Sequence, residues 1–271
     1  IRVIKFFRIL LLFLFKRDKA LFIHQGTILY LFPIKIFGIN FFFRSIMKLL
    51  LRVSKNNKLI IEINDLPYEQ SIDLELTVNP FFLKFEENIF SLSYVHFIFA
   101  SHEMELYVRN KYKIEKTSTI INGGKIIINS SSEDKFDFEI NSKITFVYAG
   151  TLNKGRQIEK LISLFIGKDN VQLVLLGSGG QWIKEEAEIF GGNIYYLGSF
   201  IESDAHKIVS RCDIGIIPYD ANRFYYNLCY PTKASFYITA GITFLSTPSK
   251  ELINCFKNYD FVLFKELEEW D

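Results

Sequence analysis

The stretch "CYPTKASFYITAGITFLS" (229–246) puts a lysine where a helix should resist one. Pro231 suits a helix start because it has no N–H to leave unpaired. Thr232 can cap, or offer its hydroxyl and N–H to an anion. Lys233 then falls in the first turn, where the helix already carries partial positive charge. A bound anion at that end resolves the conflict. A second cation, Lys154, lies in "YAGTLNKGRQIEKL" (148–161), which reads as a strand, Gly150 and Thr151, a short polar loop and a helix opened by Gly155 and Arg156. Gly150 lets backbone approach a ligand closely, and Lys154 can set an ammonium beside phosphate oxygens. "LLGSGG" (175–180) supplies another turn, with Ser178 and Gly179. It has neither G-x-G-x-x-G nor G-x-x-x-x-G-K spacing. The alternatives are a plain tight turn there and, at 148–161, a turn with a solvated lysine.

The elements around these residues alternate. Strand-length apolar runs recur at 144–149, 171–176, 194–197, 213–217 and 242–246, with helical segments between them. Near-continuous apolar strands alternating with helices indicate a parallel sheet covered on both faces. Glycines follow several of these strands at once: Gly150, Gly177 and Gly198. Ligands of doubly wound sheets bind at such carboxyl ends. The first half repeats the pattern less cleanly, with strands at 19–24, 58–63, 95–100 and 118–121 and helices near 40–54, 82–93 and 101–112. The division expected is a partial N-terminal Rossmann-like domain over 1–124, a polar linker over 125–143 and a C-terminal Rossmann-like domain over 144–271. Two such α/β domains would enclose a cleft, a favoured place for a ligand.

Composition excludes some classes. Of the 271 residues 49% are apolar and 23% charged, as in a globular protein, and the net charge of +2 gives no footprint for nucleic acid. Three cysteines without a C-x-x-C pair read as a reduced, cytoplasmic chain with no structural zinc. The start, "IRVIKFFRILLLFLFKR", holds an apolar run too short to span a bilayer. It suits either a membrane-surface helix with basic flanks or a helix packed on a sheet.

Other candidates are weaker. The run from Pro218 and Tyr219 to Lys233 reads as a long loop, and long loops are often functional. Tyr225 and Tyr226 within it could stack on a ligand or anchor the loop. The four histidines show no metal spacing, and His24, at a strand end, reads best as structural. Ser101 reads as a helix cap.

The ordered set "FVYAGTLNKG", "LVLLGSGG", "IYYLGSF", "HKIVSRCDIGIIPY" and "YPTKASFYITAGITFLSTP" resembles the C-terminal half of GT-B fold glycosyltransferases. It is most similar to the retaining, nucleotide-sugar-using family-four group, whose late motif Pro-x-Lys-x-x-x-Tyr-x-x-x-Gly stands here as Pro231, Lys233, Tyr237 and Gly241. The resemblance covers about 58–250. It implies an α/β fold of two Rossmann-like domains of GT-B type facing a central cleft, the first incomplete. It also implies that the chain starts after the family's first strand and stops before its closing helix. The implied activity is transfer of a sugar from a nucleoside diphosphate sugar, a UDP-sugar above all, to a glycan or glycolipid acceptor. No cofactor or metal is expected, and no Asp-x-Asp occurs. Lys154 and Lys233 would neutralise the leaving diphosphate. Gly150, Thr151, Ser178, Gly179, Pro218, Tyr219, Pro231, Thr232 and Tyr237 would shape the donor pocket. Asn64 and Asp65 would face the sugar from the other domain.

The chain departs from the family in two places. A glutamate that bonds the ribose is replaced by Phe236, and a histidine after the strand at 58–63 by Asn64–Asp65. Two other readings therefore stay open: a nucleotide-sugar-binding partner subunit without turnover, and a UDP-sugar epimerase of the same fold. Peripheral contact with the inner face of the plasma membrane and homo-oligomerisation are further expectations.

Overall fold

The computed structural model describes residues 2–29, 40–127, 143–153, 157–186 and 192–270. Contacts divide it into two units. The first holds Ile1–Ile121 with Arg223–Cys229, and the second Asn122–Asn222 with Tyr230–Asp271. The linker expected over 125–143 falls mostly on 128–142, outside the described residues.

In the first unit, helix α1 (Arg2–Leu14) precedes strand β1 (Ala20–His24), α2 (Gln25–Leu29), α3 (Asn40–Asn56) and β2 (Lys58–Ile63). Helices α4 (Pro67–Asp73) and α5 (Pro80–Phe90), strand β3 (Val95–Phe99), α6 (His102–Tyr112) and β4 (Thr117–Thr119) follow. The strands form a parallel sheet in the order β1-β2-β3-β4. Proline opens both α4 and α5, and the Asn79 side chain accepts from the Phe81 N–H at the second of these starts. Phe43, Phe81 and Phe85 pack ring against ring beneath the sheet. Each such ring or aliphatic chain taken out of water contributes roughly 1.5–3 kcal/mol.

In the second unit, β5 (Ile144–Ala149), α7 (Ile158–Phe165), β6 (Val171–Leu176), α8 (Gln181–Glu185) and β7 (Ile194–Gly198) run one way from the sheet centre. Helix α9 (Glu202–Val209) then leads to β8 (Ile214–Ile217) on the other side of β5. After α10 (Phe224–Leu228) in the chain, α11 (Thr232–Ala240), β9 (Thr243–Ser246), α12 (Lys250–Phe256) and β10 (Val262–Phe264) complete the second unit. The sheet order is β10-β9-β8-β5-β6-β7, all parallel. Connections reverse direction between β5 and β8, which makes that pair the topological switch point. In α7, Ile158, Leu161, Ile162 and Phe165 are buried, the 3–4 spacing of one helix face.

The run from 218 to 233, expected as a loop, contains α10, and α10 belongs to the first unit. Tyr225 and Leu228 are buried in the first unit's core. Asp73 accepts from the backbone N–H groups of Phe224 and Tyr225, and Ser101 donates to the Leu228 carbonyl. Tyr225 therefore anchors the segment, which was one of its two expected roles, and Ser101 ties α10 down rather than capping α6 with its side chain.

Candidate functional site

The carboxyl ends of β5, β6 and β7 open on a cavity of about 490 Å³ in the second unit. Gly150 and Thr151 after β5, Gly177 and Ser178 after β6, and Thr232 and Lys233 at the start of α11 line it. The turns are built of glycine for steric reasons. A Cβ on Gly150 would lie 2.5 Å from Lys233 Cε, and one on Gly177, where φ is +137°, would lie 1.8 Å from the Gly150 carbonyl oxygen. These two residues let the lysine and both turns close on the same space.

Lys233 is half-buried. Its Nζ donates to the Tyr219 hydroxyl at 2.9 Å and sits 4.9 Å from the ring centroids of both Tyr148 and Tyr219. Burial alone would lower the Lys233 pKa, but the phenol oxygens of Tyr219, Tyr148 and Tyr237 outweigh it and hold the pKa above the ordinary lysine value. The ammonium is thus a permanent cation in an aromatic cage. Its remaining N–H capacity is available to an anion in the cavity.

The other expected donor-site residues sort by position. Tyr219 stands behind Lys233 as its partner, and Pro231 is the N-cap of α11. Neither these nor Pro218 and Gly179 line the cavity. Tyr237 is fully buried and bonds backbone: it accepts from the Ala149 N–H at 3.1 Å and lies 3.0 Å from the Ile216 carbonyl. It joins β5 to β8 at the switch point and does not reach the cavity. Lys154 lies outside the described residues. Lining residues that the sequence did not mark are Gly123, Gly124, Ser199, Phe200, Glu202 and Ala205. Gly198, at the end of β7, was the signal for the last four.

Asn64 and Asp65 follow β2 in the first unit, beside His24 at the end of β1. Gln25 holds this corner, its side-chain oxygen accepting from the N–H groups of Asn64 and Asp65. The Gly26 N–H donates to His24 Nδ1 at 2.9 Å, so a neutral ring carries its proton on Nε2. The Asn64 side-chain nitrogen lies 2.6 Å from that Nε2, and Asn64 Oδ1 is buried without a hydrogen-bond partner. Burial raises the Asp65 pKa against the hydrogen bond from Tyr225, 2.8 Å away.

A second charged cluster lies under α4, α5 and α6. Glu69 Oε1 accepts from Lys111 and from the Tyr107 hydroxyl, and Glu86 Oε1 accepts from the Tyr68 N–H. The other oxygen of each carboxyl is buried without a partner outside the pair. The two carboxyls interact, Glu69 staying the charged member and Glu86 keeping the proton. Burial, and then Glu69 itself, push the Glu86 pKa up to about 9.

No protein-family model and no curated protein sequence matches the chain. Solved structures do. Sucrose-phosphate synthase from Thermosynechococcus elongatus matches 81% of this chain at 15% identity, with a TM-score of 0.61. WaaG, a glycosyltransferase involved in lipopolysaccharide biosynthesis, matches 78% at 12% identity and a TM-score of 0.56. Anabaena HepE, solved with UDP and glucose, matches 81% at 14% identity and a TM-score of 0.58. The fold is GT-B. The chain spans 59%, 63% and 62% of the length of these three GT-B structures.

Proposed function

We propose that the protein binds a nucleoside diphosphate sugar, a UDP-sugar above all, and transfers the sugar to a glycan or glycolipid acceptor. One observation carries this reading: a caged, permanently charged lysine faces a glycine-walled cavity at the switch point of a parallel sheet. As the bond between the sugar and the diphosphate breaks, negative charge grows on the diphosphate oxygens. Lys233 meets that charge without reorganising, the arrangement that stabilises a transition state most effectively. Thr151, Ser178 and Thr232 add hydroxyl donors around the same space. In this reading Lys154 supplies a second cation and no metal is required. HepE, solved with UDP and glucose, supports the choice of ligand. The test is titration with UDP, followed by assay with labelled UDP-sugar in the presence of a chelator. Lys233→Ala should weaken UDP binding about 100-fold, and binding as tight as the parent's overturns the reading. Phe236 in the cavity wall favours a second reading, a partner subunit that binds donor without turnover. UDP binding with neither transfer nor donor hydrolysis would select it.

We also propose that α1 rests on an anionic membrane surface. Phe6 and Leu10 face the core, while Ile4, Leu11, Leu12 and Phe15 are exposed. Lys5, Arg8, Lys16 and Arg17 stand exposed among and just beyond them. Among the described residues no helix is long and apolar enough to cross a membrane, so the contact is peripheral. Vesicles containing anionic lipid should sediment the protein, neutral ones much less, and Leu11→Ser with Phe15→Ser should abolish the difference. Equal sedimentation by the parent and this variant rejects the contact.

A further inference from the structure

The net charge of +2 is the sum of two unlike parts. Residues 1–58 hold twelve Lys and Arg against one acid, Asp18, for a net charge of +11, while residues 59–271 hold 20 against 29, for a net charge of −9. Such asymmetry within one chain is the footprint of a surface that meets anions. Helix α3 has no acid at all, and its exposed Arg44, Lys48, Arg52 and Lys55 recur at helical spacing as one basic stripe. The stripe ends at a second cavity, of about 620 Å³, lined by Arg17, Lys19, Lys55 and Lys58 with Asp18 among them. Asn57 builds this corner. Its side chain is buried, and its amide N–H groups are shared among the carbonyls of Phe13 at 2.9 Å, Lys16 at 3.0 Å and Val53 at 3.3 Å. Its oxygen accepts from the Lys19 N–H at 3.2 Å. The Asp18 N–H donates to the Asn56 carbonyl at 3.0 Å, and the Lys58 N–H to the Lys19 carbonyl at 2.8 Å. The main chain that carries the four cations is thus fixed around one space.

Helix dipoles account for Arg17, just past α1, and Lys55, in the last turn of α3. They do not account for Lys19 and Lys58, which head the neighbouring strands β1 and β2. Among the described residues no ion pair joins any of the four to an acid. Like charges held this close repel, and an anion between them removes the cost. The neighbourhood says what carries that anion. An apolar groove of about 460 Å³ runs along α1, lined by Ile4, Leu11, Leu12 and Phe15 with Arg8 beside them, and it stops two residues short of Arg17. A cationic pocket at the end of an apolar groove fits an anionic head set beside hydrocarbon. A nucleic acid would leave the aliphatic row in water. We propose that this pocket holds the phosphate of an anionic membrane lipid, with the α3 stripe adding attraction to the charged surface. This rests on the membrane reading of α1 and names the group recognised there.

The experiment measures partition onto vesicles of phosphatidylcholine mixed with phosphatidylglycerol. Two variants remove equal charge: Lys55→Gln with Lys58→Gln inside the pocket, and Arg44→Gln with Lys48→Gln on the stripe outside it. Diffuse attraction alone is worth roughly fivefold per cation, so it would cost both variants about 25-fold. The inside pair should lose about tenfold more than the outside pair, because charge-assisted hydrogen bonds to the phosphate go with it. Lys55→Arg with Lys58→Arg, which keeps both charges, should bind as the parent does, and matching urea midpoints show that the loss is not one of folding. Equal losses in the two Gln variants overturn the pocket. So does saturable binding of inorganic phosphate or of duplex RNA that the inside pair loses while its vesicle partition matches that of the outside pair. In that event a loss of partition on Leu11→Ser with Phe15→Ser still leaves the α1 contact standing. A parent that ignores the anionic vesicles overturns both.

Discussion

Lys233 in the second unit and the Glu69–Glu86 pair in the first are both withdrawn from bulk water, yet their surroundings differ in kind. The carboxyl pair is turned inward: Lys111, Tyr107 and the Tyr68 N–H take one oxygen of each acid, and the proton kept by Glu86 faces Glu69. Tyr112 on α6 also faces this group, and its own pKa is pushed up to about 12 by burial. The lysine is open: its cage of Tyr148 and Tyr219 leaves donor capacity pointing at a cavity. A buried charge whose hydrogen bonds are complete holds helices together. One whose bonds are incomplete on the side of a cavity waits for a ligand. Burial alone does not separate the two cases; the direction of the unused bonding capacity does.

That contrast can be broken at several points. The largest effect should come from Lys233→Ala, whose loss in UDP affinity of about 100-fold should leave the urea midpoint nearly unchanged. A large fall in stability with affinity intact would reverse the roles assigned to the two clusters.

Glu86→Gln should do the opposite, altering stability and sparing binding. The folded Glu86 pKa of about 9 lies above its ordinary value of 4.5. The folded state therefore holds a proton that the unfolded chain has released between those values. The stability linked to that proton is full below about pH 4.5 and drains away as pH rises to about 9. An amide keeps a donor toward Glu69 at every pH, so the variant should be more stable than the parent near pH 8 by on the order of 1–3 kcal/mol. Unfolding by urea across this range measures it, and a parent curve without the decline removes the proton assigned to Glu86.

Tyr225→Phe should have the smallest effect. It deletes the bond to Asp65 while keeping the ring in the core, and should cost about 1 kcal/mol in urea unfolding. A change in UDP affinity in this variant would mean that the ring does more than anchor α10.

The sequence made much of the fold legible where burial is continuous. "VQLVLL" is buried nearly end to end and "ITFVYA" at Thr145, Val147 and Tyr148, and their apolar runs mark the strands to the residue. Strand β10 and helices α2, α4, α10 and α12 were not foreseen. Helix α10, "FYYNL", has five residues and no period of its own, and it forms because Tyr225 and Leu228 enter a core built from distant positions. Lys233 was legible because charge in the first turn of an apolar helix is a local contradiction. Glu69 and Glu86 were not, since single carboxylates in helices look like ordinary surface until tertiary packing closes over them. Tyr237 carried the motif but spends its hydroxyl on the strands, a distinction that spacing does not encode.

The assignment of Arg223–Cys229 to the first unit has a consequence for biosynthesis. A ribosome that has released residue 121 has not yet supplied Tyr225 or Leu228, so the amino-terminal core stays unfinished until Cys229 emerges. At about 5–20 residues per second, that wait is roughly 5–20 s. During it the seat for α10 between α4 and α6 is an exposed apolar notch, which makes this interval the one in which a nascent chain would most depend on chaperone protection.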